Sequence, residues 1–193
     1  MRTNKHGLIE ICAGCLLLAA ACCIWQQNCA NDKHAALSSA ALLENAQAYI
    51  KVENPTESTE LKVEYSFVAT EGIIGVLKIP TLSLTLPVQA DYGEALLQNA
   101  PCRYTTVHED SSKLIVCGHN YRRQFGRLQR LKHGDEVCFT DMNNNNFRYF
   151  VSEITTIAPY DSAAFETGDW DLSLFTCTLD GSRRVLIRCK IIY

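Results

Sequence analysis

The sequence predicts a mainly β protein: a closed β-barrel with short helices, preceded by an N-terminal transmembrane helix and a juxtamembrane helix. Three observations predict this class. Short runs in which apolar and polar residues alternate recur from residue 72 to the C-terminus. Helical spacing of apolar residues is scarce over the same region. An apolar run fills most of residues 7–25. Many short strands with few helical periods are typical of a closed barrel.

The N-terminal run has the length and flanks of a membrane anchor. Arg2 precedes the run and Lys5 lies just before its start, and Glu10 is the only charged residue within it. The length of the run is close to the roughly 20 residues that a membrane-spanning helix needs. Because the positively charged flank stays in the cytoplasm, everything after the run is expected outside the cell. We therefore expect residues 1–30 to form a cytoplasmic tail and signal anchor of a single-pass membrane protein. A cleaved signal peptide and a lipidated Cys22 stay open as alternatives.

Two further regions follow the anchor. Residues 31–59 are rich in Ala, Leu, Glu and Gln, and Asn31 or Asp32 can cap a helix there. Pro55 disfavours helix at the residue before it. The sequence therefore predicts a juxtamembrane helix and a linker over 31–59, and a barrel domain over 60–193.

Within the domain, alternation and continuous apolar runs predict seven strands. They fall at residues 72–78, 82–88, 114–117, 136–141, 147–157, 172–177 and 185–192. Apolar residues at helical spacing predict a short helix or helical turn over 124–131. Four consecutive asparagines, residues 143–146, predict a turn, because Asn tolerates left-handed backbone conformations.

Composition and cysteine count exclude several classes of function. A net charge of −3 gives no reason to expect a nucleic-acid partner. Ten cysteines divide equally between the N-terminal region and the domain, where they are Cys102, Cys117, Cys138, Cys177 and Cys189. The domain has no C-x-x-C pair and no zinc-ligand spacing, so neither a metal nor a cofactor is expected. Five is odd, so at least one thiol is free or paired between chains, and a disulfide among the remaining four stays open.

A cysteine, an arginine and a histidine stand out as candidate catalytic residues. The run 172–177 ends at Cys177, a short turn follows, and the next run begins at Arg184. A hairpin brings these two residues close together. A cysteine reacts as its thiolate and needs a neighbour that shifts or accepts its proton. His119 can serve, because it follows the buried run 114–117 directly through Gly118.

Other residues of the same types have weaker positions in the sequence. Cys117 ends a buried apolar run, which favours simple packing. His108 and His133 lie in polar, loop-like segments. Arg183 would replace Arg184 if the register of the hairpin were shifted by one.

The last strand has an apolar face made of Val185, Ile187, Cys189 and Ile191. This face should point into the core, which predicts that Arg184 lies on the outside of the barrel. A surface groove of this kind suits a peptide substrate.

These motifs together resemble the sortase family, the cysteine transpeptidases that attach proteins to the cell wall of Gram-positive bacteria. The resemblance covers roughly residues 72–193 and rests on four pieces in the family's order. They are Ile79-Pro80 to Pro87-Val88, Gly118-His119-Asn120, Gly134-Asp135, and Leu174-Phe175-Thr176-Cys177 with Arg184. The resemblance implies a sortase-like barrel and transpeptidation. Cys177 would cleave a C-terminal sorting motif of the Leu-Pro-x-Thr-Gly type through a thioacyl-enzyme.

The resemblance also implies partners and further site residues. The substrates would be secreted proteins with a sorting signal, and the acceptor an amine of a peptidoglycan precursor or a pilin. His119 would exchange the protons, Arg184 would hold a carbonyl oxygen, and the neighbouring Thr176 and Asn120 are expected to bind substrate. The subclass stays open between class B-like and class D-like forms, because the loop from Cys177 to Arg184 is short.

Two other functions remain possible on the sequence alone. A cysteine peptidase with the same three residues would use water as its acceptor. A non-catalytic extracellular β-barrel for binding would not require the three residues together.

Overall fold

The structure, a computed structural model, describes residues 5–52, 69–105, 113–161 and 163–192. The predicted linker and the predicted start of the barrel domain at residue 60 lie outside these ranges. So do His108, Glu109 and Asp110.

The described chain forms eight strands and three α-helices. The strands are β1 (Ile73–Ile79), β2 (Leu84–Gln89), β3 (Cys102–Arg103), β4 (Leu114–Cys117), β5 (Glu136–Asp141), β6 (Asn146–Ile157), β7 (Leu172–Cys177) and β8 (Arg184–Ile191). The helices are α1 (Lys5–Val52), α2 (Glu94–Leu97) and α3 (Ala163–Glu166). Two 3-10 turns span Pro80–Leu82 and Leu128–Arg130. All seven predicted strands are therefore present.

The strands close into a barrel in the order β1-β2-β3-β4-β7-β8-β6-β5, which confirms the predicted fold class. Most neighbours are antiparallel, but β2 pairs with β3 and β4 pairs with β7 in parallel. Because β4 and β7 run in the same direction, their carboxyl ends meet at one edge of the barrel. The residues that follow these two strands are therefore neighbours in space.

The two-residue alternation of β8 separates an inner and an outer apolar cluster. Val185, Ile187 and Cys189 lie in the main core, as predicted. On the outer face, Leu186 is fully buried as well. It packs in a second cluster with residues of β4, β6 and the segment containing α3. The outer face of this part of the barrel is thus covered and apolar rather than uniformly solvated.

Helix α1 is one continuous helix that joins the predicted anchor and the predicted juxtamembrane helix. No glycine or proline occurs between Gly14 and Pro55, so nothing in the sequence breaks it. In its first half, large apolar side chains are exposed, among them Leu17 (73% exposed) and Trp25 (67% exposed). By length and composition, this helix can cross a membrane.

The second half of α1 packs against the barrel. Ala46 is 3% exposed and lies in an apolar cluster with Ile73 and Val76 of β1 and with Met142. Leu42, Leu43 and Ile50 flank the same contact. The helix is therefore attached to the barrel by side-chain packing as well as by the chain.

Two predicted turns are present with the expected chemistry. Residues 122–130 form helical turns rather than a regular helix, and Phe125 and Leu128 point into the core. In the asparagine turn, Asn144 has a left-handed backbone with φ of 64°. The buried carboxylate of Asp141 accepts hydrogen bonds from the backbone N–H groups of Asn143 and Asn145.

Candidate active site

Cys177 and Arg184 are direct cross-strand partners at the end of the β7–β8 hairpin. The backbone N–H of Thr178 donates to the carbonyl of Arg183 over 3.0 Å, so the next pair along, Cys177 and Arg184, is of the non-hydrogen-bonded kind. Side chains approach most closely at such pairs. Both residues lie on the outer face of the barrel, opposite the core residues of the same strands. The structure thus brings the predicted cysteine and arginine together.

The turn of this hairpin is fixed by Asp180. Its carboxylate accepts from the Ser182 hydroxyl over 2.6 Å and from the Thr178 hydroxyl. These hydrogen bonds, that of Ser182 first, lower the pKa of Asp180 to about 2. Gly181 supplies the left-handed backbone that the turn needs, with φ of 73°. The ionised carboxylate of Asp180 therefore stabilises the turn at neutral pH.

Arg184 and Arg183 are bound to different parts of the barrel. Nη1 of Arg184 donates to the carbonyls of Gly181 (3.2 Å) and Arg183 (3.1 Å), which leaves its remaining N–H groups for a ligand. Nη2 of Arg183 donates to the carbonyl of Thr156 on β6 over 3.0 Å. Arg183 is therefore turned toward β6, and Arg184 is the one beside Cys177.

His119 approaches the same edge from the end of β4. Cys117 pairs with Phe175, and the N–H of Gly118 donates to the carbonyl of Phe175 over 3.1 Å. If this register is continued for two more residues, His119 lies beside Cys177. Nδ2 of Asn120 donates to the carbonyl of Thr178 over 3.2 Å and fastens the histidine segment to the hairpin. Asn120 therefore helps to position the segment that contains His119. Its predicted role in substrate binding is untested.

The backbone of His119 is held on both sides. Its N–H donates to Oε1 of Gln124 over 3.0 Å, and its carbonyl accepts from the N–H of Phe125 over 3.1 Å. Gly118 is needed directly before it, since a Cβ there would lie 2.7 Å from the ring of the fully buried Phe125. This explains the Gly-His pair: a larger residue would displace either the core or the histidine.

Burial lowers the pKa of His119 below its ordinary value. The negative charge of Glu94 opposes this effect but is the weaker cause. The ring of Tyr121 lies beside the imidazole of His119, and the two ring centroids are 4.7 Å apart. Burial therefore favours the neutral imidazole, whose lone pair can accept a proton.

The other cysteines of the domain are poor nucleophiles. Burial raises the pKa of Cys102 to about 11 and that of Cys189 to about 12. It raises the pKa of Cys117 still further, and it also raises that of Cys138. A protonated, buried thiol does not attack a carbonyl. Cys177 is half-exposed at the edge of the barrel, whereas Cys102, Cys117 and Cys189 are buried. All ten cysteines are free thiols, and Cys102 and Cys117 are cross-strand partners.

An aromatic floor lies beside Cys177 on the outer face. It consists of Tyr104, Phe165 of α3 and Phe175, with Phe175 two residues before the cysteine. Phe175 lies 5.2 Å from Tyr104 and 4.7 Å from Phe165 between ring centroids. The sequence analysis missed this floor, although the position of Phe175 on the same strand face as Cys177 follows from the two-residue period.

Thr176 lies on the opposite face of β7 from Cys177. It is 4% exposed, and its hydroxyl has no hydrogen-bond partner in the described part of the chain. Its side chain is directed into the barrel, so only its backbone can meet a substrate on the outer face. The predicted binding role of Thr176 is untested, and the alternation of the strand would have indicated this orientation.

The sequence of the barrel matches a known family. A family model described as the sortase domain matches residues 77–192. The chain belongs to the sortase family. This sortase has the fold of the family, whose members are cysteine transpeptidases. No curated protein matches the chain.

Solved sortase structures have the same fold. Sortase C1 of pilus island 1 of group B Streptococcus is 24% identical, with a TM-score of 0.58, and the match covers 87% of this chain and 92% of that one. A Clostridium perfringens sortase D5 transpeptidase is 20% identical, with a TM-score of 0.63 and coverages of 81% and 99%. Listeria monocytogenes sortase A is 19% identical, with a TM-score of 0.57 and coverages of 64% and 89%. Structures of several subclasses match, and the subclass of this sortase stays open.

No metal site accompanies the candidate catalytic residues in the part of this sortase that the structure describes. There, no three His, Cys, Asp or Glu side chains come together as a metal ion would require. The chemistry available at this edge of the barrel is that of a thiol, an imidazole and a guanidinium.

Proposed function

We propose that this sortase is a membrane-anchored transpeptidase in which Cys177, His119 and Arg184 carry the reaction. Its substrates are secreted proteins with a C-terminal sorting motif of the Leu-Pro-x-Thr-Gly type. The acceptor is an amine of a peptidoglycan precursor or a pilin. The main support is the cross-strand pairing of Cys177 with Arg184 at the edge where His119 leaves β4.

In the first step, the sulfur of Cys177 attacks the carbonyl carbon of the threonine in the motif. A C–S bond forms, the C–N bond breaks, and the departing amine takes a proton from His119, which had received one from the thiol. The free N–H groups of Arg184 stabilise the negative charge that develops on the carbonyl oxygen. The product of this step is a thioacyl-enzyme with a neutral imidazole.

In the second step, the acceptor amine attacks the thioester. The new C–N bond forms, the C–S bond breaks, and His119 accepts the proton of the amine and returns one to sulfur. Water in place of the amine would give slow hydrolysis. The apolar residues of the motif would bind on the aromatic floor of Tyr104, Phe165 and Phe175, because it lies on the same face as Cys177.

The apolar, exposed first half of α1 supports a location in the cell membrane. With the positive flank in the cytoplasm, the barrel lies outside the cell. There it meets secreted proteins and wall precursors.

The test uses the full chain in detergent micelles, because α1 covers apolar surface of the barrel. A pool of sorting-motif peptides is incubated with and without glycine- or lysine-based amines, and products are identified by mass spectrometry. Wild type should give a thioacyl adduct and amine-ligated peptide, and Cys177→Ala should give neither. Cys138→Ala removes a half-buried cysteine on β5 and should react like wild type.

Three other results would each contradict the proposal. Cleavage that does not depend on the amine would indicate a cysteine peptidase. Full activity in Cys177→Ala would indicate another nucleophile. Absence of any product, with Cys177 resistant to alkylation in the folded chain, would indicate a binding module.

A further inference from the structure

The N-terminal helix α1 reaches the segment that carries His119. Oδ1 of Asp32, a residue of α1, accepts a hydrogen bond from the backbone N–H of Arg123 over 3.0 Å. The two residues are 91 positions apart in the chain, whereas Arg123 follows His119 by four. Asp32 lies seven residues beyond Trp25, the last residue of the apolar run. A carboxylate of the N-terminal helix therefore contacts the turn that follows the candidate catalytic histidine.

The N–H that Asp32 accepts belongs to a tight turn over residues 121–126. The carbonyl of Tyr121 accepts from the N–H groups of Gln124 (3.0 Å) and Gly126 (2.9 Å). The first N–H groups of a helical turn have no partner within the turn itself. An aspartate oxygen commonly accepts from such a group when the aspartate directly precedes the turn. Asp32 caps this turn in the same way, but from a distant part of the chain.

The turn is connected to His119 by three contacts. Oε1 of Gln124 accepts from the backbone N–H of His119 over 3.0 Å, and the N–H of Phe125 donates to the carbonyl of His119 over 3.1 Å. The ring of Tyr121 lies against the imidazole. Arg123 is placed in the chain between Tyr121 and Gln124, so a displacement of its backbone moves groups that hold the histidine on both sides.

The helix packs at this point and does not touch it through one hydrogen bond only. Ala35 is fully buried and Ser39 is 4% exposed. They follow Asp32 by three and seven residues, which places all three on one face of α1. Asp32, Ser39 and Arg123 line the same cavity between α1 and the barrel. Because packing extends over two turns of the helix, a change at Asp32 alone should leave α1 attached.

The negative charge of Asp32 acts on the turn and not on the imidazole. Burial raises the pKa of Tyr121 above its ordinary value, and the charge of Asp32 adds to this effect. The pKa of His119, in contrast, is lowered by burial and raised by Glu94. The charged and titratable groups at His119 come from separate parts of the chain: Tyr121, Glu94 of α2, Cys177 and Arg184. Those that line the cavity with Asp32 are Arg122, Arg123 and Arg127.

We propose that Asp32 is a positioning residue of this sortase: its carboxylate holds the turn at Arg123, and the turn places the imidazole of His119 at the edge of the barrel. This inference deepens the proposed function, because it rests on the role of His119 in proton exchange. It also gives α1 a second role besides anchoring. A chain without this part of α1 would keep the three candidate catalytic residues and lose the cap of the histidine turn.

The first experiment measures amide hydrogen exchange of Arg123 by NMR, using the full chain in detergent micelles. Asp32→Ala removes the acceptor, whereas Asp32→Asn keeps an oxygen acceptor and removes the charge. Exchange should be at least about tenfold faster in Asp32→Ala than in wild type and close to wild type in Asp32→Asn. Glu44→Ala removes an exposed carboxylate of the same helix and is the matched control. It should exchange like wild type.

The second experiment measures the pH profile of peptide ligation. In Asp32→Ala, a looser turn hydrates the imidazole, so the pKa of His119 rises toward its ordinary value and the acidic limb of kcat/KM moves to higher pH. We expect kcat to fall at least about tenfold and KM to change by less than about twofold, because the imidazole moves and the aromatic floor does not. Asp32→Asn should restore the wild-type profile. A loss of folded protein alone would lower the rate without moving the pH profile.

Wild-type exchange at Arg123 and an unchanged imidazole titration in folded Asp32→Ala would overturn the inference. An equal loss in Asp32→Asn and Asp32→Ala would overturn it too, because the charge and not the acceptor would then matter. Circular dichroism checks folding. Asp32→Glu moves the carboxylate by one methylene group, should give an intermediate exchange rate, and serves if Asp32→Ala does not fold.

Amide exchange and imidazole titration need no substrate. If no variant and no wild-type chain ligates peptides, the proposed function fails, and these two measurements still decide whether Asp32 holds the histidine turn. If wild type ligates peptides and Asp32→Ala does so with an unchanged pH profile and kcat, the proposed function stands and the role of Asp32 is overturned.

Discussion

His119 shows how a single residue is adjusted by its surroundings. Its segment is fastened through Asn120 and Gln124, and its ring is half-buried against Tyr121. Burial favours the neutral imidazole, whereas the nearby carboxylate of Glu94 favours the imidazolium. The two effects have opposite signs and can be separated by substitution.

We predict that Glu94→Gln lowers the pKa of His119 further, because a negative charge that favours the imidazolium is removed. Tyr121→Ala should raise the pKa toward its ordinary value of about 6.5, because the ring becomes more hydrated. NMR titration of the imidazole protons in the full chain measures both shifts. An unchanged pKa in Glu94→Gln would show that His119 does not sense this charge.

At Arg184, we predict that Arg184→Gln lowers kcat/KM by about 10²-fold or more, the usual effect of removing a donor to a developing oxyanion. Arg183→Gln is the matched control and should have a small effect, since Arg183 is bound to the carbonyl of Thr156. Peptide ligation kinetics give both values. A larger loss in Arg183→Gln than in Arg184→Gln would reverse the assignment of roles.

The sequence indicated Cys177, His119 and Arg184 because strand ends and a short turn are local signals. It gave no indication of Gln124 or of the Phe125 contact, because these depend on how residues 119–127 fold back on β4. The orientation of Thr176 was readable from the two-residue period. The roles of all these residues in catalysis stay predictions.

At the level of elements, the junction of β4 with the histidine segment depends on close packing. The missing side chain of Gly118 makes room for the ring of Phe125, which is fully buried in the core. The position of His119 is therefore coupled to the packing of the barrel interior.

We predict that Gly118→Ala lowers activity at least about tenfold, because the new methyl group must displace Phe125 or the backbone of His119. Gly93→Ala is the control: the nearest atom would be 3.7 Å from its Cβ, and the backbone is extended. Ligation rates per folded molecule, with unfolding followed in parallel, test this. Wild-type rates in Gly118→Ala would show that the junction tolerates the shift.

Elements with a long or regular pattern were predictable, and short ones were not. β4, β5 and β7 have the predicted bounds. Strand β3 has two residues, and α2 and α3 have four each, too few to show a period. The two predicted N-terminal helices are one, because Asn31 and Asp32 can start a helix but cannot interrupt one without a glycine or proline nearby.

At the scale of the whole molecule, the packing of α1 on the barrel is the contact that joins the N-terminal helix to the rest of the fold. It buries Ala46 against Ile73, Val76 and Met142. Sequence alone did not reveal this contact, because small and apolar residues are spread around that half of the helix.

We predict that Ala46→Glu lowers the free energy of unfolding by about 2–4 kcal/mol, because an unpaired carboxylate would replace a methyl group in an apolar cluster. Ala41→Glu, at an exposed position of the same helix, should change it by less than about 0.5 kcal/mol. Urea unfolding of the full chain measures both. An equal loss of stability in the two variants would show that α1 does not pack on the barrel in solution.

Because one unbroken helix both carries the apolar run and packs on the barrel, the proposed membrane anchor would fix the distance of the barrel from the bilayer. Cys177 is expected at a nearly constant height above the bilayer, whatever the chain between α1 and β1 does. A membrane-tethered substrate would then have to present its cleavage site at that height. The number of residues between a substrate's sorting motif and its own membrane segment would thus select which secreted proteins react.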